Sequence, residues 1–149
     1  MRAVVQRVTS AACDIADRRT GEIGKGYMVL LCVMEGDTQK DIEYMVQRLT
    51  GLRVFEDEQG KMNLSITDVG GSMLIISQFT LAGDARKGRR PSFIASAAPD
   101  IGSKMYDEVY DIISKSGINV QKGEFGADMK ISLVNDGPVT ILLDSSRLF

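Results

Sequence analysis

Histidine is absent from the 149-residue chain. That absence removes Ser-His-Asp and Cys-His nucleophilic catalysis, in which an imidazole takes the proton from the nucleophile. The commonest zinc ligand goes with it, and two isolated cysteines, Cys13 and Cys32, cannot replace it. Both stand in apolar, strand-like surroundings, the setting of buried reduced thiols. No metal or other cofactor is expected. Long hydrophobic runs are missing too: none approaches the roughly 20 residues that span a bilayer, so no membrane partner is expected. The opening Met1–Val8 alternates early and is too short for a signal peptide, which makes the expected location cytoplasmic. Charge of one sign is not in excess, since the net charge is −2, and a polyanionic partner would need a local patch. An enzyme built from this chain must work with hydroxyls, carboxylates, lysine, backbone dipoles or groups on its substrate.

What is present suits a soluble globular protein, with 44% hydrophobic and 26% charged residues and length for one domain over 1–149. There is no internal repeat, low-complexity tract or linker. Residues 1–9 alternate as a strand, a second short strand is expected around Ala12–Ala16, and Asp17–Gly26 is rich in turn residues. Tyr27–Met34 is a continuous apolar run, the mark of a strand buried on both faces. Thr38-Gln39-Lys40-Asp41 resembles a capping box with Asp in place of Glu. Ile42, Met45, Val46, Leu49 and Leu52 then follow helical spacing. Gly60–Gly71 is loop-like, with Met62-Asn63-Leu64 available for local pairing. Ser72–Leu81 is a second buried strand. A helix from about Asp100 is expected to bury Ile101, Met105, Val109, Ile112 and Ile113 and to stop at Gly117. Strands are expected at Asn119–Lys122, Met129–Asn135 and Val139–Asp144. The order β-β-β-α-β-α-β-β-β predicts a mixed α/β domain with two main helices covering a strongly curved sheet.

Four segments could carry chemistry. Ser77-Gln78-Phe79-Thr80-Leu81 lies at the carboxyl end of a buried strand, where ligands of α/β sheets tend to bind. It offers hydroxyls, an amide and backbone N–H groups that can hold an oxyanion without a titratable side chain. An ordinary strand end with hydroxyls bonded to local backbone has the same spacing. Asn135-Asp136-Gly137-Pro138-Val139-Thr140 is either a tight turn between antiparallel strands or, with a cis Gly137–Pro138 bond, a device that aims carbonyl oxygens with no side chain between them. Asp84–Pro91 holds Arg86, Lys87, Arg89 and Arg90 against Asp84, a local +3. That is either a solvated loop or a grip for a phosphate backbone beside the first segment. Phe125-Gly126-Ala127-Asp128-Met129 reads as core or as a platform for stacking a base.

Taken together these segments resemble the D-aminoacyl-tRNA deacylase family. The likeness runs from Ala3-Val4-Val5-Gln6-Arg7-Val8 through Gly21-Glu22-Ile23-Gly24, Gly60-Lys61-Met62-Asn63-Leu64 and Arg90-Pro91-Ser92-Phe93. It includes the two signature motifs, Ser77-Gln78-Phe79-Thr80 and Gly137-Pro138. Asp144–Phe149 carry no motif. The resemblance implies a three-layer α/β fold with barrel-like sheets. It also implies a homodimer with active sites at the subunit interface, where Ser77–Thr80 of one protomer meets Gly137-Pro138 of its partner. In that family the Gly-Pro bond is cis and its carbonyls exclude L-amino acids. Arg7 is then expected to hold the motif, and Phe125 and Met129 to flank the terminal adenosine of aminoacyl-tRNA.

The implied reaction is hydrolysis of an aminoacyl ester, a proofreading step in translation. Positioning and oxyanion stabilisation can supply much of the rate for an ester. The expected donors are backbone N–H groups around Gln78, Phe79 and Thr80. Water attacks with help from the substrate 2′-hydroxyl, and Thr80 is expected first as an orienting group and second as a covalent nucleophile. Glycine has no side chain to collide with the chiral wall, so glycyl-tRNA is an expected substrate. The alternatives are a non-catalytic tRNA-binding dimer that uses the Arg86–Arg90 loop, and a general esterase that hydrolyses simple esters without RNA.

Overall fold

The computed structural model describes residues 1–148; Phe149, the last residue of the motif-free tail, lies outside them. Strand β1 (Arg2–Ile15) is the spine. Along one edge its first half pairs antiparallel with β3 (Gly26–Cys32), from Arg2↔Cys32 to Val8↔Gly26. Its second half pairs with β2 (Arg18–Ile23) along the same edge. The other edge is covered over almost its whole length by antiparallel β8 (Lys130–Asp144). Beyond β3 come β6 (Ser72–Ser77) and β7 (Asn119–Lys122), both parallel. A separate hairpin joins β4 (Arg53–Glu56) to β5 (Met62–Ser65).

The sheet curls until β2 packs on β6 and β7, so that it nearly closes into a barrel. Gly21 makes that approach possible, because a Cβ there would come within 2.9 Å of Leu74 Cδ1 and 3.2 Å of Gln121 Cβ. Two cores result. Alternation along β3 and β6 sends Tyr27, Val29, Leu31, Met73 and Ile75 toward the helices, and Met28, Leu74 and Ile76 into the barrel with Val8, Ala11 and Cys13. Helix α1 (Gln39–Gly51) buries Ile42, Met45 and Leu49 against the first core. Its capping box forms as expected, with Asp41 Oδ2 accepting the Thr38 N–H at 2.8 Å. Helix α2 (Pro99–Ser114) buries Gly102, Met105, Tyr106, Val109 and Ile113.

The run of strands and helices follows the sequence pattern, with differences at the boundaries. The two opening strands are one continuous β1, and the turn-rich segment after it contains β2, whose exposed Arg19 pairs with Asp14 and Glu22. The strand expected to reach Leu81 stops at Ser77. The last two strands are a single β8. Ile101, expected in the core, is 48% exposed, because the buried face of α2 runs through Gly102 instead. No helix is long and apolar enough to cross a membrane among the described residues.

Candidate active site

β6 ends where its ladder with β3 ends: Ser77 is the partner of Leu31, and the Gln78 N–H still donates to the Leu31 carbonyl at 2.8 Å. The chain then tightens into a short 3-10 helix, Phe79–Ala82. This corrects one expectation, since the Gln78 N–H is committed to the sheet and cannot hold an oxyanion. The N–H groups of Phe79 and Thr80 open the helix, where leading donors have no partner inside it. The Gln78 side chain instead serves Thr80, its Nε2 donating to Thr80 Oγ1 at 2.6 Å. Thr80 therefore faces an amide donor rather than a base, which suits an orienting hydroxyl better than a nucleophile. Cys32 is the other candidate nucleophile nearby, its Sγ 3.5 Å from the Phe79 carbonyl oxygen. Burial pushes the Cys32 thiol up, which keeps it protonated and inert at neutral pH.

Two cavities flank the turn. One of about 270 Å³ is lined by Ser77, Gln78 and Phe79 on one side and by Phe125, Gly126, Ala127 and Met129 on the other. Phe125 and Met129 thus come to the strand end, although some 50 residues separate them from it in sequence. Tyr106, tilted against Phe125 with ring centroids 6.1 Å apart, supports that ring. Gly102 makes room for it, since a Cβ would lie 3.3 Å from Phe125 Cζ. The second cavity, about 510 Å³, shares Ser77–Phe79 and Phe125 and extends over Leu31–Val33, Phe93 and Ser96–Pro99. Sequence reasoning missed Tyr106, Gly102 and Ser96–Pro99. The one available signal was a glycine inside the helical face of α2, which marks a close approach.

The cationic segment forms a loop closed by a bridge between Asp84 and Ser92. Arg86 turns back on Asp84, with Nε to Oδ1 at 2.9 Å and Nη2 to Oδ2 at 2.6 Å. Hydrogen bonding from Arg86 holds the Asp84 carboxyl well below the usual carboxylate range. Lys87, Arg89 and Arg90 are exposed beside the turn. Of the four expected cations, Arg86 is thus largely engaged within the loop.

Gly137–Pro138 is a cis peptide. It does not reverse the chain; it lies in a bulge of β8. Asn135 faces Val8 and Thr140 faces Gln6, so the four residues 136–139 stand against Arg7 alone. Arg7 is 5% exposed and its guanidinium clamps the bulge. Nε donates to the Asp136 carbonyl at 3.1 Å and lies 3.3 Å from the Asp136 carboxylate. Nη1 donates to the Val54 carbonyl at 2.6 Å on β4. Gly137 has φ +121°, and a Cβ there would meet Val139 Cγ2 at 2.9 Å and Arg7 Nη2 at 3.1 Å. The sequence-predicted residues therefore fall into two groups. One unites Ser77–Thr80 with Phe125 and Met129, the cationic loop following in the chain; the other unites Arg7 with Gly137–Pro138. Four rungs along the strands and three strand spacings across the sheet separate the groups within one chain, on the order of 20 Å.

The chain is similar over its whole length to known proteins. The chain is 52% identical over 149 residues to a D-aminoacyl-tRNA deacylase of Thermosipho africanus, covering all of both chains. It is 50% identical to a protein of the same name from Thermotoga petrophila, again over the full length of both. The solved structure of a c-Myc DNA unwinding element binding protein superposes with a TM-score of 0.91 at 39% identity, over 97% of this chain and 98% of that one. A probable eukaryotic D-amino acid tRNA deacylase shares the fold, with a TM-score of 0.81 at 18% identity over 95% of this chain and 97% of that one. Residues 4–144 match the family model described as D-Tyr-tRNA(Tyr) deacylase, and the chain belongs to that family.

Proposed function

We propose that this protein hydrolyses the ester that joins a D-amino acid to the terminal ribose of tRNA, releasing the free D-amino acid and tRNA. The observation that carries the reading is the Phe79–Thr80 turn. It presents backbone donors between two cavities, with no imidazole in the chain and a protonated thiol beside it. Such a site suits an ester, whose cleavage needs an oxyanion held and a water admitted more than a strong nucleophile. The smaller cavity, with Phe125 and Met129 on its wall, suits a terminal adenine stacked on an aromatic ring. Lys87, Arg89 and Arg90, exposed in the loop that follows the turn, would hold the phosphate backbone, with Arg86 at the neck of that loop. The Phe79 and Thr80 N–H groups bind the ester carbonyl, Thr80 and Gln78 orient the substrate, and its 2′-hydroxyl assists the attacking water.

Chiral selection in this reading needs a second copy of the chain. Gly137–Pro138 is too far from Ser77–Thr80 in one protomer to touch a shared substrate, so the wall comes from the partner and the working form is a homodimer. Carbonyls there face the α-carbon and reject an L side chain, while a D side chain points outward. Glycine passes the same wall, so glycyl-tRNA is also cleaved. One domain carries the whole activity, with no cofactor, in the cytoplasm as a proofreading step. The second reading is a nucleic-acid-binding dimer without hydrolysis, favoured by the 39%-identical structural relative, which is named a DNA unwinding element binding protein.

The test is release of tyrosine from D-Tyr-tRNA and L-Tyr-tRNA side by side, with chelator present. Rapid loss of the D ester alone supports the deacylase and its filter. Survival of both esters while RNA still binds would overturn it in favour of the binding reading. Inertness toward glycyl-tRNA would contradict the steric account of selectivity.

A further inference from the structure

The cationic loop and the Phe79–Thr80 turn share an aromatic contact. Asp84 and Ser92 exchange backbone hydrogen bonds at 2.8 and 2.9 Å, so Lys87, Arg89 and Arg90 hang from a neck one residue pair wide. Phe93 follows that neck directly and meets the 3-10 helix at both of its ends. Its ring stands edge-on to Phe79, centroids 5.2 Å apart at an interplanar angle of 70°. Gly83, just after the helix, leaves room for the same ring. A Cβ at Gly83 would come within 3.1 Å of Phe93 Cε1 and 2.9 Å of the Thr80 carbonyl oxygen. The Gly83 N–H donates to that carbonyl at 2.9 Å.

A helix of four residues has too few internal hydrogen bonds to fix its own direction. Phe79 is 56% exposed, so the barrel core does not fix it either. The orientation of the leading N–H groups is therefore set by what packs on the outside of the turn, and Phe93 is the aromatic ring in that place.

We propose that Phe93 is a positioning residue. It holds the Phe79 and Thr80 N–H groups toward the ester carbonyl, and it passes to them the ordering of the loop when Lys87, Arg89 and Arg90 close on RNA phosphates. The proposal rests on the hydrolytic reading above. It adds that the nucleic acid belongs to the catalytic assembly, so the same ester on a bare terminal nucleoside is cleaved more slowly than on RNA.

The experiment measures kcat on D-Tyr-tRNA and on the D-tyrosyl ester of adenosine, together with tRNA affinity and Tm. The proteins are the wild type, F93A, F93L and F93Y. The wild type is expected to turn over the RNA ester faster. F93A should lower kcat on the RNA ester by about tenfold or more, toward its rate on the nucleoside, as small misplacements of donors do. Its tRNA affinity and Tm should change little. F93Y keeps the ring and restores kcat, and F93L supplies the ring-free comparison if F93A does not fold. Unchanged kcat in the ring-free variants would overturn the proposal, as would a loss that tracks Tm and is not restored by tyrosine. Equal wild-type kcat on both esters would overturn the transmission from the loop. A wild type inert toward both esters would instead overturn the hydrolytic reading itself.

Discussion

The Ser77–Thr80 turn and the Gly137–Pro138 bulge are held by unlike means. The turn is an outgrowth of the sheet: its entry is pinned by the Gln78 N–H on the Leu31 carbonyl, and the Gly83 N–H closes its last residues on the Thr80 carbonyl. Both bonds belong to the main chain, which side-chain substitution leaves in place, so they fix where the turn stands, while its fine aim is left to the Phe93 ring packed on Phe79. The bulge interrupts a ladder and has no such support. It hangs on one buried guanidinium that bonds Asp136 on one side and Val54 on the other. Backbone anchoring is robust and gives little choice of aim. Side-chain anchoring is fragile, but it lets one residue set the direction of two carbonyls.

That contrast can be broken most forcefully at Arg7. Arg7→Ala leaves the buried Val54 carbonyl without its donor and frees the bulge, at an expected cost of about 3 kcal/mol in urea unfolding. Discrimination between D and L esters should collapse as well, while the turn retains its geometry. A variant that unfolds normally and still discriminates would show that the bulge supports itself.

Gly137→Ala tests the same region more finely. The residue must keep φ near +121° with a methyl group against Val139 and Arg7, at an expected cost of about 1–3 kcal/mol. D-over-L selectivity should fall further than the rate on the D ester, measured as the ratio of initial rates.

At the turn, Thr80→Ala should be milder. The helix-opening N–H groups survive the change, and kcat should fall by no more than about tenfold. Complete loss, with a trapped acyl-enzyme under mass spectrometry, would make Thr80 the nucleophile. Because the chain holds no imidazole, an inflection of the rate between about pH 6 and 8 should belong to the substrate's α-amino group and survive substitution at the turn.

The smallest effect concerns how the turn's far side is tied to β8. Arg2 Nη1 donates to the Leu81 carbonyl at 3.0 Å, and its Nε pairs with Asp144 at 3.0 Å. Burial pushes the Asp144 carboxyl up, and hydrogen bonds from Ser146 and Arg2 outweigh it, so its pKa lies below the ordinary value. A depressed carboxylate stabilises the fold above its unfolded pKa of about 4, and that contribution is lost as pH falls through the folded value. Asp144→Asn should cost about 1 kcal/mol at pH 7 and less than that at pH 3. Equal costs at both pH values would remove Asp144 from the account.

The local features of this chain were legible because they depend on near neighbours. The apolar run at Tyr27–Met34 marked a doubly buried strand. The spacing of Ile42, Met45 and Leu49 marked one helix face, and Asp41 three residues beyond Thr38 marked its cap. Ile101 was misplaced because helical spacing cannot say whether the buried stripe passes through it or through the adjacent Gly102. The continuity of β8 was hidden for a similar reason: Asn, Asp, Gly and Pro are also the residues of a chain reversal, and only a partner strand that runs straight past them shows a bulge.

The sequence by itself determined the elements, the absence of imidazole chemistry and the small set of segments able to hold an ester or a phosphate. Tertiary structure alone decided which of those segments meet. Arg7 reaches Asp136 across 129 positions, Phe125 comes to the wall opposite Ser77, and Gly137–Pro138 stays midway along β8, three strands away from Ser77. The physical reason is range. Periodicity and capping act within a few residues along the chain, whereas these encounters follow from strand register and from the curl that two shared cores impose on the sheet.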